Sequence, residues 1–287
     1  MSNPPGFRHA ALVAACGLWL AACGGGGPDS GSSPFGAGDN VSSNPSTGSP
    51  QPLLDIAGLW ISATDPASTT LMLTLGDVAY GYRIDGSTIH FFQATGYSST
   101  GSGFAFAAGH YEEALEFVAM ATASANGRFT GKLDATGTPQ RLSLAFTAPA
   151  GVTSTFLPVT MEATDPATAA APDARNFTGT YATRSGTMTL SANSANVATL
   201  TVSNLYGCVA NGTMSAPRSD RNVWVVTLHE SNCAEVRRNG STLTGLGALL
   251  AGATSSNVFL MGEDGQAWVA LSGSQAGRVS ARGASGE

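Results

Sequence analysis

Few residues in this 287-residue chain have the types and spacing to do chemistry, and they are scattered. Beyond the first ten residues the histidines are His90, His110 and His229. None stands at metal-ligand spacing from another, and none is paired in sequence with a serine or cysteine nucleophile. His90 lies in Ile89-His90-Phe91-Phe92, an alternating run in which a strand histidine is half buried. His229-Glu230 reads as a solvated strand end. Glu112, Glu113 and Glu116 form the densest acidic patch. Two carboxylates flanking a sugar would carry glycoside hydrolysis; a solvated face beside Tyr111 and Leu115 is the preferred reading. There is no G-x-S-x-G elbow, no phosphate-cradling G-x-x-x-x-G-K-[ST] and no H-E-x-x-H. We therefore assign no catalytic residue, no metal and no cofactor from the sequence. Tyr80, Tyr82, Phe91, Phe92, Tyr97, Phe104 and Phe106 make a dense aromatic run. It lines either a ligand cavity or a packed core with cross-strand pairs, and the core is preferred.

Composition narrows the classes. Charged residues are 11% of the chain, against roughly a quarter in an average soluble protein. Lys132 is the only lysine among 13 basic residues, and the net charge is −6. No basic stripe exists to displace phosphate counterions, so nucleic acid is not an expected partner. The 31 Ser, 30 Thr and 36 Gly favour strands, turns and linkers over long charged helices.

The N-terminus reads as an export signal. Arg8 precedes an apolar stretch, Ala10 to Ala22, too short for the roughly 20 residues that a membrane-spanning helix needs. The stretch ends in Leu20-Ala21-Ala22-Cys23, followed by Gly24. This resembles the lipobox of bacterial lipoproteins. The resemblance implies that 1–22 is a signal peptide and that Cys23 is acylated. It also implies an outer-membrane address, since Gly24 rather than Asp follows the cysteine. Residues 23–52 are Gly-, Ser- and Pro-rich and read as a flexible tether. Some 30 such residues have a root-mean-square span of roughly 30 Å. With Cys16 in the signal and Cys23 under lipid, Cys208 and Cys233 are left as one pair. In an exported protein such a pair is expected to be a disulfide. Closing its loop would be worth roughly 3.5 kcal/mol in the chain-entropy account.

From Leu53 onward, short runs of period-two alternation are broken by turn residues every 8–12 positions, the mark of an antiparallel sandwich or barrel. The expected fold is all-β, with two tandem antiparallel β domains of about eight strands each, 53–162 and 174–273. Residues 163–173 would be a linker and 274–287 a loose tail. In the first half, strands are expected near 58–63, 70–75, 78–84, 88–95, 103–107, 116–124, 128–133 and 141–146. A helix over 110–120 competes with the 116–124 strand, and Asn126-Gly127 is expected to be a hairpin turn. Phe177-Thr178-Gly179-Thr180-Tyr181 echoes Ile56-Ala57-Gly58-Leu59-Trp60, which suggests duplication. These openings also resemble the Gly-x-Trp start of lipocalin-like barrels, in which the aromatic ring plugs one end. The second half further resembles a region of uncharacterised proteobacterial lipoproteins, through Gly207-Cys208, Asn211-Gly212-Thr213, Pro217-Arg218-Ser219, Asn222-Val223, Val225-Val226-Thr227-Leu228 and Cys233. That resemblance implies fold and compartment only.

The functional expectation is a non-enzymatic, membrane-anchored binding module of the cell envelope. One version is an immunity protein that neutralises a toxin. The partners would be the membrane, through the lipid anchor, and a protein or a small apolar ligand. A carrier of a lipid or small apolar molecule and an envelope hydrolase are the alternatives.

Overall fold

The computed structural model describes residues 53–276 except 63–67, 87, 115–117, 120–122, 153–155, 157, 164–170, 252–254 and 264–267. The signal, the tether, Cys23 and Glu116 lie outside the described residues. The chain forms two eight-stranded antiparallel closed barrels. The first closes in the order β1 (Gly58–Ser62), β2 (Ser68–Leu75), β3 (Val78–Asp85), β4 (Thr88–Thr100), β5 (Gly103–Ala114), β7 (Ala123–Asp134), β8 (Arg141–Thr147) and β9 (Val159–Ala163). The two-residue strand β6 (Val118–Ala119) leaves this barrel. The second runs β10 (Gly179–Thr183), β11 (Thr187–Ala192), β12 (Val197–Leu205), β13 (Cys208–Ser215), β14 (Trp224–Ser231), β15 (Thr242–Ala251), β16 (Ser255–Glu263) and β17 (Trp268–Ala276). Pairing of β17 with β10 closes it.

Both barrels open on the same device. Gly58 and Gly179 each sit at φ 152°, where a side chain is disfavoured. Two residues on, the Trp60 and Tyr181 rings turn into the lumen and are fully buried. The Trp60 indole N–H donates to the Ile56 carbonyl at 2.9 Å, and the Tyr181 hydroxyl donates to the Phe177 carbonyl at 2.6 Å. Each ring thus satisfies its polar atom against the backbone four residues earlier, so burial leaves nothing unpaired.

The first lumen is filled mainly by aromatic rings, including Trp60, Phe92, Phe106, Phe129 and Phe156. An eight-stranded barrel has little room for so many, and glycines make it. A Cβ on Gly81 would lie 2.1 Å from the Phe92 ring of the facing residue; one on Gly131 would lie 2.3 Å from Phe104. Gly81→Ala is expected to cost about 1–3 kcal/mol by overpacking. Thermal unfolding checks it, and Phe92→Leu in the same chain should restore most of the loss. The second lumen is mainly aliphatic, with Met188, Leu200, Met214, Leu228 and Leu260 packed around Tyr181 and Trp224.

Four features differ from the sequence reading. Asn126-Gly127 is no hairpin turn but lies inside β7, and the described residues of the expected 116–124 strand divide between β6, Val118–Ala119, and the start of β7 at Ala123. Gly127 is there for space, because a Cβ would strike the Thr147 carbonyl at 2.4 Å and the Phe146 ring at 2.5 Å. The eighth strand of the first barrel is instead β9, which pairs with both β1 and β8. Finally, β17 runs to Ala276, three residues into the expected tail, because Ser274 pairs with Ala182 in closing the barrel.

The barrels are not independent. Their outer faces share a third core, with Leu59, Leu71, Leu73, Tyr80, Ile89 and Phe91 from the first and Val223, Leu246, Ala248, Met261, Trp268 and Ala270 from the second. The backbone joins them too: β6 pairs with the start of β17 through Val118↔Val269 and Ala119↔Trp268. At one end of the seam, Asp55 takes both Arg218 at 2.9 Å and Arg221 at 2.8 Å.

Candidate functional site

Four of the sequence candidates, His90, His110, Glu112 and Glu113, converge on one ladder, β4 against β5. Side chains alternate across a strand, so neighbours on this ladder serve opposite faces. His90 faces Glu113 across the ladder and both point inward; Phe91–Glu112 and Gln93–His110 point outward.

Inside, a polar row crosses the end of the barrel: Thr70 opposite Arg83, Arg83 opposite His90, His90 opposite Glu113. Thr70, Arg83 and His90 are 0%, 5% and 4% exposed. The His90 Nδ1 lies 3.8 Å from a Glu113 oxygen, and Arg83 lies 3.3 Å from Asp85. Burial lowers the His90 pKa, against the opposing pull of Glu113 and Asp85.

Outside, both ring nitrogens of His110 are engaged, with Asn126 Oδ1 at 2.8 Å and Glu112 Oε1 at 3.0 Å. The Glu112 hydrogen bond raises the His110 pKa. Its ring stacks on Trp268 at 6.1 Å, and Phe91 stacks on the same indole at 6.1 Å. His110 therefore belongs to the seam between the barrels. It also borders an open groove of about 560 Å³ floored by Ala94, Ala107, Gly109 and Gly127.

The two histidines oppose each other in pH dependence. His90 has a lowered folded pKa, so the unfolded chain takes up its proton first. Its contribution is full above the ordinary value of about 6.5 and is lost as pH falls through the folded pKa. His110 has a raised folded pKa, so its contribution is full below about 6.5 and is lost as pH rises through the folded value. Denaturant titrations between pH 5 and 8 should show His90→Gln flattening the acid side and His110→Gln the alkaline side. Identical profiles for the two variants would defeat this assignment.

At the other end of the catalogue, Cys208 and Cys233 form a disulfide. His229 is exposed and bonded to Thr242, as a solvated strand end should be. Its neighbour Glu230 corrects that reading: it is wholly buried. Arg238 grips both its oxygens, Nη2 to Oε1 at 2.5 Å and Nε to Oε2 at 3.0 Å. Alternation along β14 turns residue 230 inward when 229 is outward, a signal that the sequence carried. The partner, Arg238, ends a single 3-10 turn, Val236–Arg238, that no periodicity marks.

Of the sequence candidates, the structure brings together His90 with Glu113, His110 with Glu112, and Cys208 with Cys233. It separates the two glutamates: Glu112 and Glu113 serve opposite faces of β5 and cannot flank one glycosidic bond. The aromatic run also divides. Phe92, Phe104 and Phe106 fill the lumen, whereas Tyr80 and Phe91 face the second barrel. The chain matches no protein-family model, and no curated protein is detectably similar to it in sequence.

Proposed function

We propose that this chain is a lipid-anchored, non-enzymatic binding module of the cell envelope that recognises a protein partner through its outer surface. The observation that carries the reading is that both barrels are filled by their own side chains, the first mainly by aromatic rings and the second by Leu, Val and Met around Tyr181 and Trp224. A carrier of an apolar ligand needs a dry chamber; here the lumen-facing side chains of each barrel pack into a buried cluster. The hydrolase reading has little to build on. Thr70, a buried hydroxyl on the polar row, is two strands from His90, roughly 10 Å by strand spacing and beyond hydrogen-bond reach. Both nitrogens of His110 are already committed. The Leu20-Ala21-Ala22-Cys23 pattern supports the anchor, and the disulfide agrees with an oxidising compartment.

Two measurements test the reading. Metabolic labelling with palmitate should mark the wild-type chain and not Cys23→Ser; an unlabelled wild type removes the anchor. Native mass spectrometry of the purified soluble part should give the mass of the bare chain; a stoichiometric lipid adduct would transfer the reading to the carrier.

A further inference from the structure

His110 stands where the two barrels meet and has partners on both sides. Those from the first barrel fix the ring. Nδ1 faces Asn126 Oδ1 on β7 at 2.8 Å, and Nε2 faces Glu112 Oε1 on its own strand at 3.0 Å. Both partners are oxygens that accept, so both ring nitrogens donate, and only the imidazolium can do that. The neutral ring has one N–H. It leaves one contact as facing lone pairs unless Asn126 turns its amide. The His110 side chain is 31% exposed, so its proton exchanges with water.

The second barrel supplies the other side. The ring lies 21° from the plane of the Trp268 indole, with centroids 6.1 Å apart. Trp268 begins β17, and its cross-strand neighbour on β16 is Glu263. Directly opposite residues share a face of a sheet, so Glu263 stands beside the indole on the side turned to the first barrel. The Glu112 hydrogen bond raises the His110 pKa most, against burial, and the Glu263 charge adds to it. Burial and the Glu263 charge likewise raise the Tyr80 pKa from β3. The β4 neighbour of the ring is Gln93, which is uncharged, and Arg128 on β7 borders the same groove.

These partners divide by what they can couple. Glu112 and Asn126 belong to the first barrel and stay with the ring whether the seam is closed or open. Trp268 and Glu263 are near it only when the seam is closed. A cation is attracted by the face of an indole and by a carboxylate; a neutral imidazole gains little from either. We infer that His110 is a proton-operated latch between the barrels: the imidazolium pins this edge of the first barrel to Trp268 and Glu263 of the second, and loss of the proton lets the edge open. By linkage, the closed seam binds the proton more tightly than the open one. Closure is therefore favoured most on the acid side, and the advantage fades as pH rises through the raised pKa of the closed form. Opening is local, because the shared apolar core carries no group that titrates near neutrality. The latch concerns the joint between the barrels and does not depend on what the protein binds.

The test is hydrogen exchange of the Trp268 indole N–H, followed by NMR at pH 6 and pH 9 and divided by the rate of free indole at each pH. Trp60 and Trp224 are internal controls, since their indoles donate to Ile56 and Asn222 inside the lumens. Protection at Trp268 should fall about fivefold from pH 6 to pH 9 while that at Trp60 and Trp224 holds. His110→Gln should be flat over the same range, at the alkaline level of the wild type. Glu263→Gln should move the His110 ring titration to lower pH and shrink the change at Trp268. Trp268 protection that ignores pH in the wild type, a pH dependence that survives His110→Gln, or a parallel loss at Trp60 and Trp224 would each overturn the latch. So would a His110 titration that Glu263→Gln leaves in place. If His110→Gln does not fold, the two readings on Glu263→Gln decide alone.

Discussion

Arg238→Ala is expected to destabilise the chain by about 3–5 kcal/mol, more than any other single charge removal. The side chain is 3% exposed and its partner Glu230 is fully enclosed. Truncation leaves a carboxylate in an apolar strand end, beside Cys208 Sγ at 3.9 Å, with its main counterion gone. The ion pair itself is worth little, and a second variant shows it: Glu230→Met with Arg238→Met should fall within about 1 kcal/mol of wild type, or exceed it. Guanidinium unfolding under oxidising conditions measures both. An Arg238→Ala variant as stable as wild type would mean that water reaches Glu230.

Trp268→Ala should cost a similar amount, about 3–5 kcal/mol, by a different route. The indole belongs to the second barrel but lies among residues of the first, stacked by Phe91 and His110 and met edge-on by Tyr80 at 6.4 Å. Removing it leaves a cavity in the core that the two barrels share. Unfolding of the wild type should be one cooperative transition, since neither outer face is compatible with water. Calorimetry of Trp268→Ala should separate it into two transitions. A single transition of unchanged shape and lowered midpoint would place the coupling in the Asp55–Arg218–Arg221 cluster or in β6 instead.

The strands of the second barrel are legible in the sequence because Thr and Ser alternate there with Leu, Val and Met against a single apolar face, as in Thr199-Leu200-Thr201-Val202. The first barrel departs from that alternation for a physical reason. Several of its strands are buried on both faces, and they read as unbroken apolar runs: Leu71-Met72-Leu73, Phe91-Phe92. The same runs appear in the second half at Phe259-Leu260-Met261 and Trp268-Val269-Ala270-Leu271, where the partner faces them. The shared core was thus written in the sequence as a loss of alternation. Gly127 misled because an Asn-Gly pair is also what a turn uses, and only the Phe146 ring, 19 residues on, shows why it is there. Phe156 could not be found, since it reaches the lumen from an irregular segment. The His90–Glu113 pair was out of reach until the β4–β5 register was known, whereas the disulfide followed from counting cysteines.

Strand β6 closes more than a gap. Strand β10 meets β17 only at Gly273 and Ser274, and the front of β17 is completed by backbone lent from the first barrel. A fragment beginning at the second barrel would therefore carry bare amide and carbonyl groups at Trp268 and Val269, at the front of its final strand and beside an uncovered tryptophan ring. Such a rim recruits other chains, so the isolated half should form oligomers by light scattering while the intact protein stays monodisperse. The half that leaves the ribosome first is, in effect, an intramolecular chaperone for the half that follows.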